Sequence, residues 1–255
     1  MREPVVIIGV GELGGVFARA LLRAGHPVLP VTRDMDPEAV ASSCPEPSLV
    51  LVTVGENDLH PALERLPEAW RDRVGLLQNE LLPRDWQRHG LEDPTVIAVW
   101  FEKKRGQDHK VVIASPAYGP AATTLVDALD TLDIPAHTLP DAEALEFELV
   151  RKNIYILTTN IAGLETGGTV AELWRDHREL AEKVADEVMD IQAWLTGNEP
   201  DRHALLQGML EAFDGDPEHG CTGRSAPARL ARAIGHADEA GLAVPTLREI
   251  AARHT

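Results

Sequence analysis

The first half of the chain alternates short apolar runs with segments of helical period. VVII (5–8), LVLVTV (49–54), VGLLQ (74–78), TVIAVWF (95–101) and KVVIAS (110–115) have the length and residue types of buried strands. Amphipathic stretches such as GVFARALLRAG and NDLHPALERL lie between several of them. That alternation predicts a mostly parallel sheet covered by helices. From Asp141 the strand signals stop. Asp141 is a natural N-cap for one long helix through DAEALEFELVRKNIYILTTNIAGL, and TVAELWRDHRELAEKVADEVMDIQAWLTG reads as a second that closes at Gly197. Two shorter helices are expected over 202–213 and 226–240. The predicted organisation is an α/β domain over residues 1–140 and an all-helical domain over 141–255, with a ligand cleft expected between them.

The long helix carries polar groups where its neighbours are greasy. Within ELVRKNIYILTTNIAGL, Ile154, Tyr155, Ile156, Leu157, Ile161 and Leu164 leave little room for a solvated face. Asn153 and Asn160 are seven apart, so at 3.6 residues per turn they stack within about 20° of each other. Lys152, Ile156, Thr159 and Gly163 flank that line. An unpartnered buried amide costs on the order of 2–7 kcal/mol, and a charge more. The helix alone leaves two readings open, a packing bond or a binding surface.

Composition narrows the field. Lys and Arg number 24 against 41 Asp and Glu, a formal charge of −17. That disfavours nucleic acid or an anionic membrane as a general partner, and it means an anionic ligand must be gathered by local cations. Cys44 and Cys221 form no metal-spacing motif, and the ten histidines make no H-x-x-x-H pattern, so no metal site is expected. With no leader-like segment and no apolar run long enough to span a bilayer, the reading is a soluble cytoplasmic protein.

The cofactor signal is more specific. VVIIGVGELGGVFARALLRAGH places Gly9, Gly11 and Gly14 as G-x-G-x-x-G after a strand and at the opening of a helix. The first glycine permits the tight turn, the second lets backbone approach a pyrophosphate, and the third lets helix and strand pack closely. The helix N-terminus, Glu12 and Leu13 included, offers N–H groups to phosphate. Glu12 should turn its carboxylate away. The first domain is therefore Rossmann-type. At the end of the second strand, GHPVLPVTRDMD presents Thr32 and then Arg33 where an NAD reader would present an acid. Arg33 can pair with a 2′-phosphate, which favours NADP(H); the alternative is a solvent-exposed arginine paired with Asp34 or Asp36.

With these pieces in place, the chain resembles the ketopantoate reductase (2-dehydropantoate 2-reductase) family, relatives of 6-phosphogluconate dehydrogenase. The likeness lies in IIGVGELGG with AGHPVLPVTR, LLQN ending at Asn79, the helix from Arg151-Lys152 to Asn160, and the closing AGLAVPTL. It implies a helical domain like the C-terminal domain of 6-phosphogluconate dehydrogenase, and NADPH-dependent reduction of a small carbonyl compound carrying a carboxylate. It also implies Lys152 as general acid, Asn160 as a substrate- or lysine-orienting group, and Asn79 as a contact to cofactor or substrate. The oligomeric state is left open, with a homodimer allowed.

The departures from the family pattern are specific. Ile156 replaces a further asparagine, with Asn153, nearly one turn back, as the substrate-binding substitute; Gly55 stands where the family often has lysine; Glu80 replaces a glycine after Asn79. The family's C-terminal glutamate would fall near 225–227, yet CTGRSAPARLARAIGHA (221–237) holds no carboxylate. Arg224, Ser225 and Arg229 occupy the region, where arginines could fork onto an anionic substrate. Two function classes follow: a reductase of a 2-keto acid, or a catalytically inactive NADP(H)-binding sensor or partner protein. A change of reaction to an imine or opine-type substrate is a third.

Overall fold

A computed structural model describes residues 2–199 and 201–254. The chain divides into two compact units, Met1–Glu148 and Leu149–Thr255.

The strands of the first unit are β1 (Val5–Ile8), β2 (Val28–Val31), β3 (Leu49–Val52), β4 (Val74–Leu76), β5 (Thr95–Ile97), β6 (Phe101–Lys103), β7 (His109–Val111), β8 (Ser115–Tyr118) and β9 (Ala136–Thr138). Among the described residues they build a seven-stranded sheet in the order β2-β1-β3-β4-β5-β8-β9, and β6 with β7 forms a separate hairpin. Within the seven-stranded sheet pairing is parallel except between β5 and β8. Parallel strands need crossovers, and α1 (Glu12–Arg23), α2 (Pro37–Ser43), α3 (Leu59–Glu64), α4 (Pro83–Gln87) and α5 (Ala122–Asp130) lie in them. On α1, Leu13, Val16, Phe17, Ala20 and Leu21 recur at helical spacing, and the stripe packs with Leu125 and Leu129 of α5 over Ile7, Leu51 and Ile97. Burying Phe17 and Leu21 contributes roughly 1.5–3 kcal/mol each before entropy is counted.

The apolar runs overstate the strands. β3 stops at Val52 and β4 at Leu76, because beyond them the Gln78 amide replaces the ladder: its Nε2 donates to Val52 O at 2.7 Å and Val54 O at 3.2 Å. The runs 95–101 and 110–115 each break in two. Trp100 N–H donates to the Ser115 hydroxyl at 2.9 Å, and Pro116 has no N–H to offer, so the ladder is interrupted between β5–β8 and β6–β7. β9 escapes the pattern because it is three residues long and half-exposed. α2 has a legible start, with Asp36 capping Glu38 N–H at 3.2 Å and Pro37 following, but too few apolar positions to show a period.

The second unit is all-helical: α6 (Ala142–Thr166), which begins in the first unit, then α7 (Val170–Asp176), α8 (Arg178–Thr196), α9 (Arg202–Gly215), α10 (Ala226–Ala240) and α11 (Pro245–His254). The single helix expected over 169–197 is two, broken at His177 with φ −132° and ψ 29°. Residues 175–179 are all exposed, so no buried anchor holds the backbone to one helical path. Gly197 closes α8 in the left-handed region at φ 73°, as its position suggests. α11 was not expected, since its start is fixed from elsewhere in the fold. The buried Glu187 carboxylate accepts from Thr246 N–H at 2.8 Å and Leu247 N–H at 2.9 Å, capping α11 from α8. Both cysteines are free and buried. Burial pushes the Cys44 thiol up and Cys221 up to about 11.

Candidate nucleotide and substrate sites

The glycine turn has three separable parts. Gly9 sits at φ +89°, and a Cβ there would lie 2.8 Å from Val54 Cγ1. A Cβ on Gly14 would lie 2.5 Å from Thr53 Oγ1 and closer still to Gly9 O. Thr53 occupies that space because its hydroxyl donates to the carbonyls of Ile8, at 3.2 Å, and Gly9, tying the end of β3 to the turn. A Cβ on Gly11, the N-cap of α1, would meet nothing within 4 Å, and no side chain caps the helix. The turn is packed from behind and open in front, which fits a pyrophosphate against the N–H groups of Glu12 and Leu13, while the Gly11 N–H closes the turn onto Gly9 O at 3.0 Å. The Leu13 side chain packs on the core, so only its backbone serves there.

A cavity of about 450 Å³ is lined by Gly9, Gly11, Val31, Thr32, Arg33, Pro61, Ala62 and Arg65 among others. Its apolar lining includes Met35, Pro37 and Val54, which suits a flat base, and its charged lining is Arg33, Arg65 and Asp58. Arg33 is paired with Asp58 at 3.8 Å rather than with Asp34 or Asp36. The neighbour comes from the turn after β3, which a local reading of TRDMD does not bring near. Arg65, just past α3, is the residue sequence reasoning missed; the segment ALERLP presents it as an ordinary helix-end arginine.

Glu12 takes the other side of the turn. It pairs with Lys103 at 3.3 Å and lines a second cavity of about 440 Å³ with Arg19, Asp108 and His109, not the one holding Arg33. Asn79 lies in the turn after β4, half-buried, and the residue after it, Glu80, has φ 60°. A left-handed glutamate is strained where glycine would be at ease, so the departure noted at Glu80 carries a backbone cost. α3 is held to the segment after α4 by two histidines: His60 Nδ1 and His89 Nε2 lie 2.9 Å apart with rings stacked at 5.2 Å. Burial first, then the Arg88 charge, pushes both imidazoles below their ordinary range.

The helical unit separates the polar stripe into parts. Lys152 is buried, 5% exposed. Asn153, 2% exposed, donates to Gln192 Oε1 of α8 at 3.0 Å, a bond that ties α6 to α8. Asn160 is half-buried, and its Oδ1 accepts from Arg229 Nη1 of α10 at 2.8 Å. Arginine only donates, so this bond orients the amide, its Nδ2 lying 3.4 Å from Thr159 Oγ1. A Cβ on Gly163 would lie 2.6 Å from Cys221 Cβ and 2.9 Å from its carbonyl carbon, so the glycine lets the loop before α10 close onto α6. In that loop Arg224 is exposed and Ser225 is the N-cap of α10 without a side-chain cap bond. The arginine brought to the stripe is Arg229, one turn beyond Ser225, and Arg224 is not seen to reach it. Among the described residues, no group of three or more His, Cys, Asp or Glu is placed to hold a metal ion, and no helix is long and apolar enough to cross a membrane.

A largely parallel α/β unit with a glycine turn, followed by a helical unit that carries most of one long polar-striped helix, is a two-part fold whose first unit is Rossmann-type. Solved structures make the assignment finer. The 2-dehydropantoate 2-reductase of Methylococcus capsulatus matches with a TM-score of 0.72 at 14% identity over 98% of this chain and 95% of that one. The dimeric ketopantoate reductase of Staphylococcus aureus matches at 0.70 and 16%, over 98% and 96%. D-mandelate dehydrogenase, in a ternary structure with NADH and anilino(oxo)acetate, matches at 0.68 and 16%, over 97% and 96%. The chain has the ketopantoate reductase fold. No protein-family model and no curated protein matches its sequence.

Proposed function

We propose that the protein is an NADPH-dependent reductase of a small 2-keto acid, in the manner of the ketopantoate reductases whose fold it shares. The observation that carries the reading is the cavity that joins an open glycine turn to Arg33. Residues 1–140 would serve the nucleotide and 141–255 the substrate, in a cytoplasmic enzyme. The neighbour that holds NADH together with anilino(oxo)acetate supports both a nicotinamide cofactor and a substrate of keto-acid type.

Bound NADPH would supply the hydride to the substrate carbonyl carbon. Lys152, on the polar face of α6, donates the proton to the carbonyl oxygen, and its burial keeps that proton out of exchange with bulk water. Asn160, oriented by Arg229, presents its amide N–H to the substrate oxygens, with Arg224 and Ser225 following Gly223, which lies beside Asn160. On the nucleotide side, the N–H groups opening α1 bind the pyrophosphate, Thr32 and Arg33 receive the 2′-phosphate end, and Asn79 contacts the nicotinamide end.

Fluorescence titration with NADPH and NADH, followed by turnover of a 2-keto acid panel by wild type and Lys152→Ala, tests this. NADPH-selective binding and a turnover loss of about 10²–10⁴-fold with unchanged NADPH affinity are expected. Binding of neither dinucleotide, or full turnover by Lys152→Ala, overturns it. NADPH binding without turnover of any 2-keto acid would favour the sensor instead.

A further inference from the structure

We propose that Arg65 is a specificity-determining residue for the cofactor, gripping the 2′-phosphate opposite Arg33, and that Asp58 is a carboxylate the phosphate displaces. This rests on the NADPH reading above. Arg33, Arg65 and Asp58 are the charged groups lining the cavity that starts at the glycine turn. They come from three places in the chain, the end of β2, the end of α3 and the turn before α3, so the cavity's charged lining is assembled by the fold. In a chain of net charge −17, two arginines facing one cavity are the local cations an anionic group requires.

The existing ion pair shows what occupies Arg33 before a ligand does. Its side chain is 89% exposed and Asp58 is 62% exposed, at 3.8 Å. Such a pair is weak and screened, so exchange for a phosphate costs little. A 2′-phosphate carries nearly two negative charges and accepts several charge-assisted hydrogen bonds, which one arginine already held by a carboxylate satisfies poorly. Arg65 supplies the second set of donors. Asp58 then repels the phosphate it makes way for, and it has no such effect on the neutral ribose hydroxyl of NADH.

NADPH and NADH affinities of the full-length Arg65→Gln, Arg65→Lys and Asp58→Asn proteins, read by fluorescence titration, give the test. Arg65→Gln should weaken NADPH about tenfold or more and leave NADH within twofold. Arg65→Lys should recover most of the loss, and Asp58→Asn should tighten NADPH severalfold without tightening NADH. An unchanged NADPH-to-NADH ratio in Arg65→Gln, with wild type still NADPH-selective, overturns the role of Arg65 alone. Equal loss in Arg65→Lys and Arg65→Gln overturns it too, since charge would not be the cause. No gain in Asp58→Asn overturns the competing-carboxylate half. Wild-type protein that binds neither dinucleotide removes this proposal together with the reading beneath it.

Discussion

Alanine at Gly14 and alanine at Gly11 should separate the fold of the glycine turn from its use. At Gly14 the new methyl would lie 2.5 Å from Thr53 Oγ1 and closer to Gly9 O, against 3.4–4 Å for ordinary contact. The overlap is roughly 1 Å, and one of the two obstacles is backbone, which cannot rotate away. Overpacking of this kind costs about 1–3 kcal/mol, offset by roughly 0.5–1 kcal/mol because alanine is the better helix former. With the middle of each range, a net loss of about 1 kcal/mol remains, equivalent to roughly 2–4 °C in Tm for a chain of this size. At Gly11 the methyl meets nothing, and φ −87° with ψ −156° suits alanine, so stability should stay within about 0.5 kcal/mol. The methyl does stand where a pyrophosphate would approach, so NADPH binding should weaken by an order of magnitude or more. Thermal melts and NADPH titrations of both variants read these outcomes. A Gly11→Ala protein that binds NADPH like wild type, or a Gly14→Ala protein as stable as wild type, would refute the reasoning.

Two further outcomes are expected. Arg229→Gln removes one member of a part-buried charged hydrogen bond, which should cost about 1.5–3 kcal/mol and raise the KM for the keto acid, because the Asn160 amide loses the charged donor that orients it; an unchanged melt and KM would exclude that role. The His60–His89 pair sets a pH dependence: both imidazoles titrate below their ordinary 6.5 when folded, so the unfolded chain binds more protons as pH falls. Their contribution is intact above about pH 6.5 and is lost as pH falls through the lowered folded values. Melts at pH 7.5 and pH 5 should show it, and the drop should shrink in a His60→Gln, His89→Gln double variant; an equal drop would assign it to other groups.

What the sequence makes legible follows from how local each feature is. The glycine turn, the N-cap at Asp141, whose carboxylate accepts from Ala144 N–H at 2.8 Å, and the closing Gly197 are set by preferences of neighbouring residues, and they read correctly from the chain. The partners of Arg33, Asn153 and Asn160 are not local. Asp58, Gln192 and Arg229 reach them only through the packing of separate elements, so the pairing within TRDMD was the wrong place to look. The strand lengths failed for a related reason. An apolar run reports burial, whereas a strand also requires ladder partners, and at Gln78 and Ser115 side chains take over that role. The break at His177 shows the converse, a helical period persisting in sequence across residues that bury nothing.

The two cysteines give each unit a reporter of its own. Cys44 lies in the first unit and Cys221 in the second, both buried, with thiolate formation suppressed in both and Cys221 pushed up to about 11. A thiol reagent at neutral pH can therefore react only through transient opening, and the rate at each sulfur measures how often that part of the chain opens. Cys221 backs directly onto Gly163 of α6, so its protection should track the closure of the loop that leads to Arg229. Comparing the two labelling rates with and without a ligand would tell which unit that ligand stiffens, using the native chain and no introduced probe.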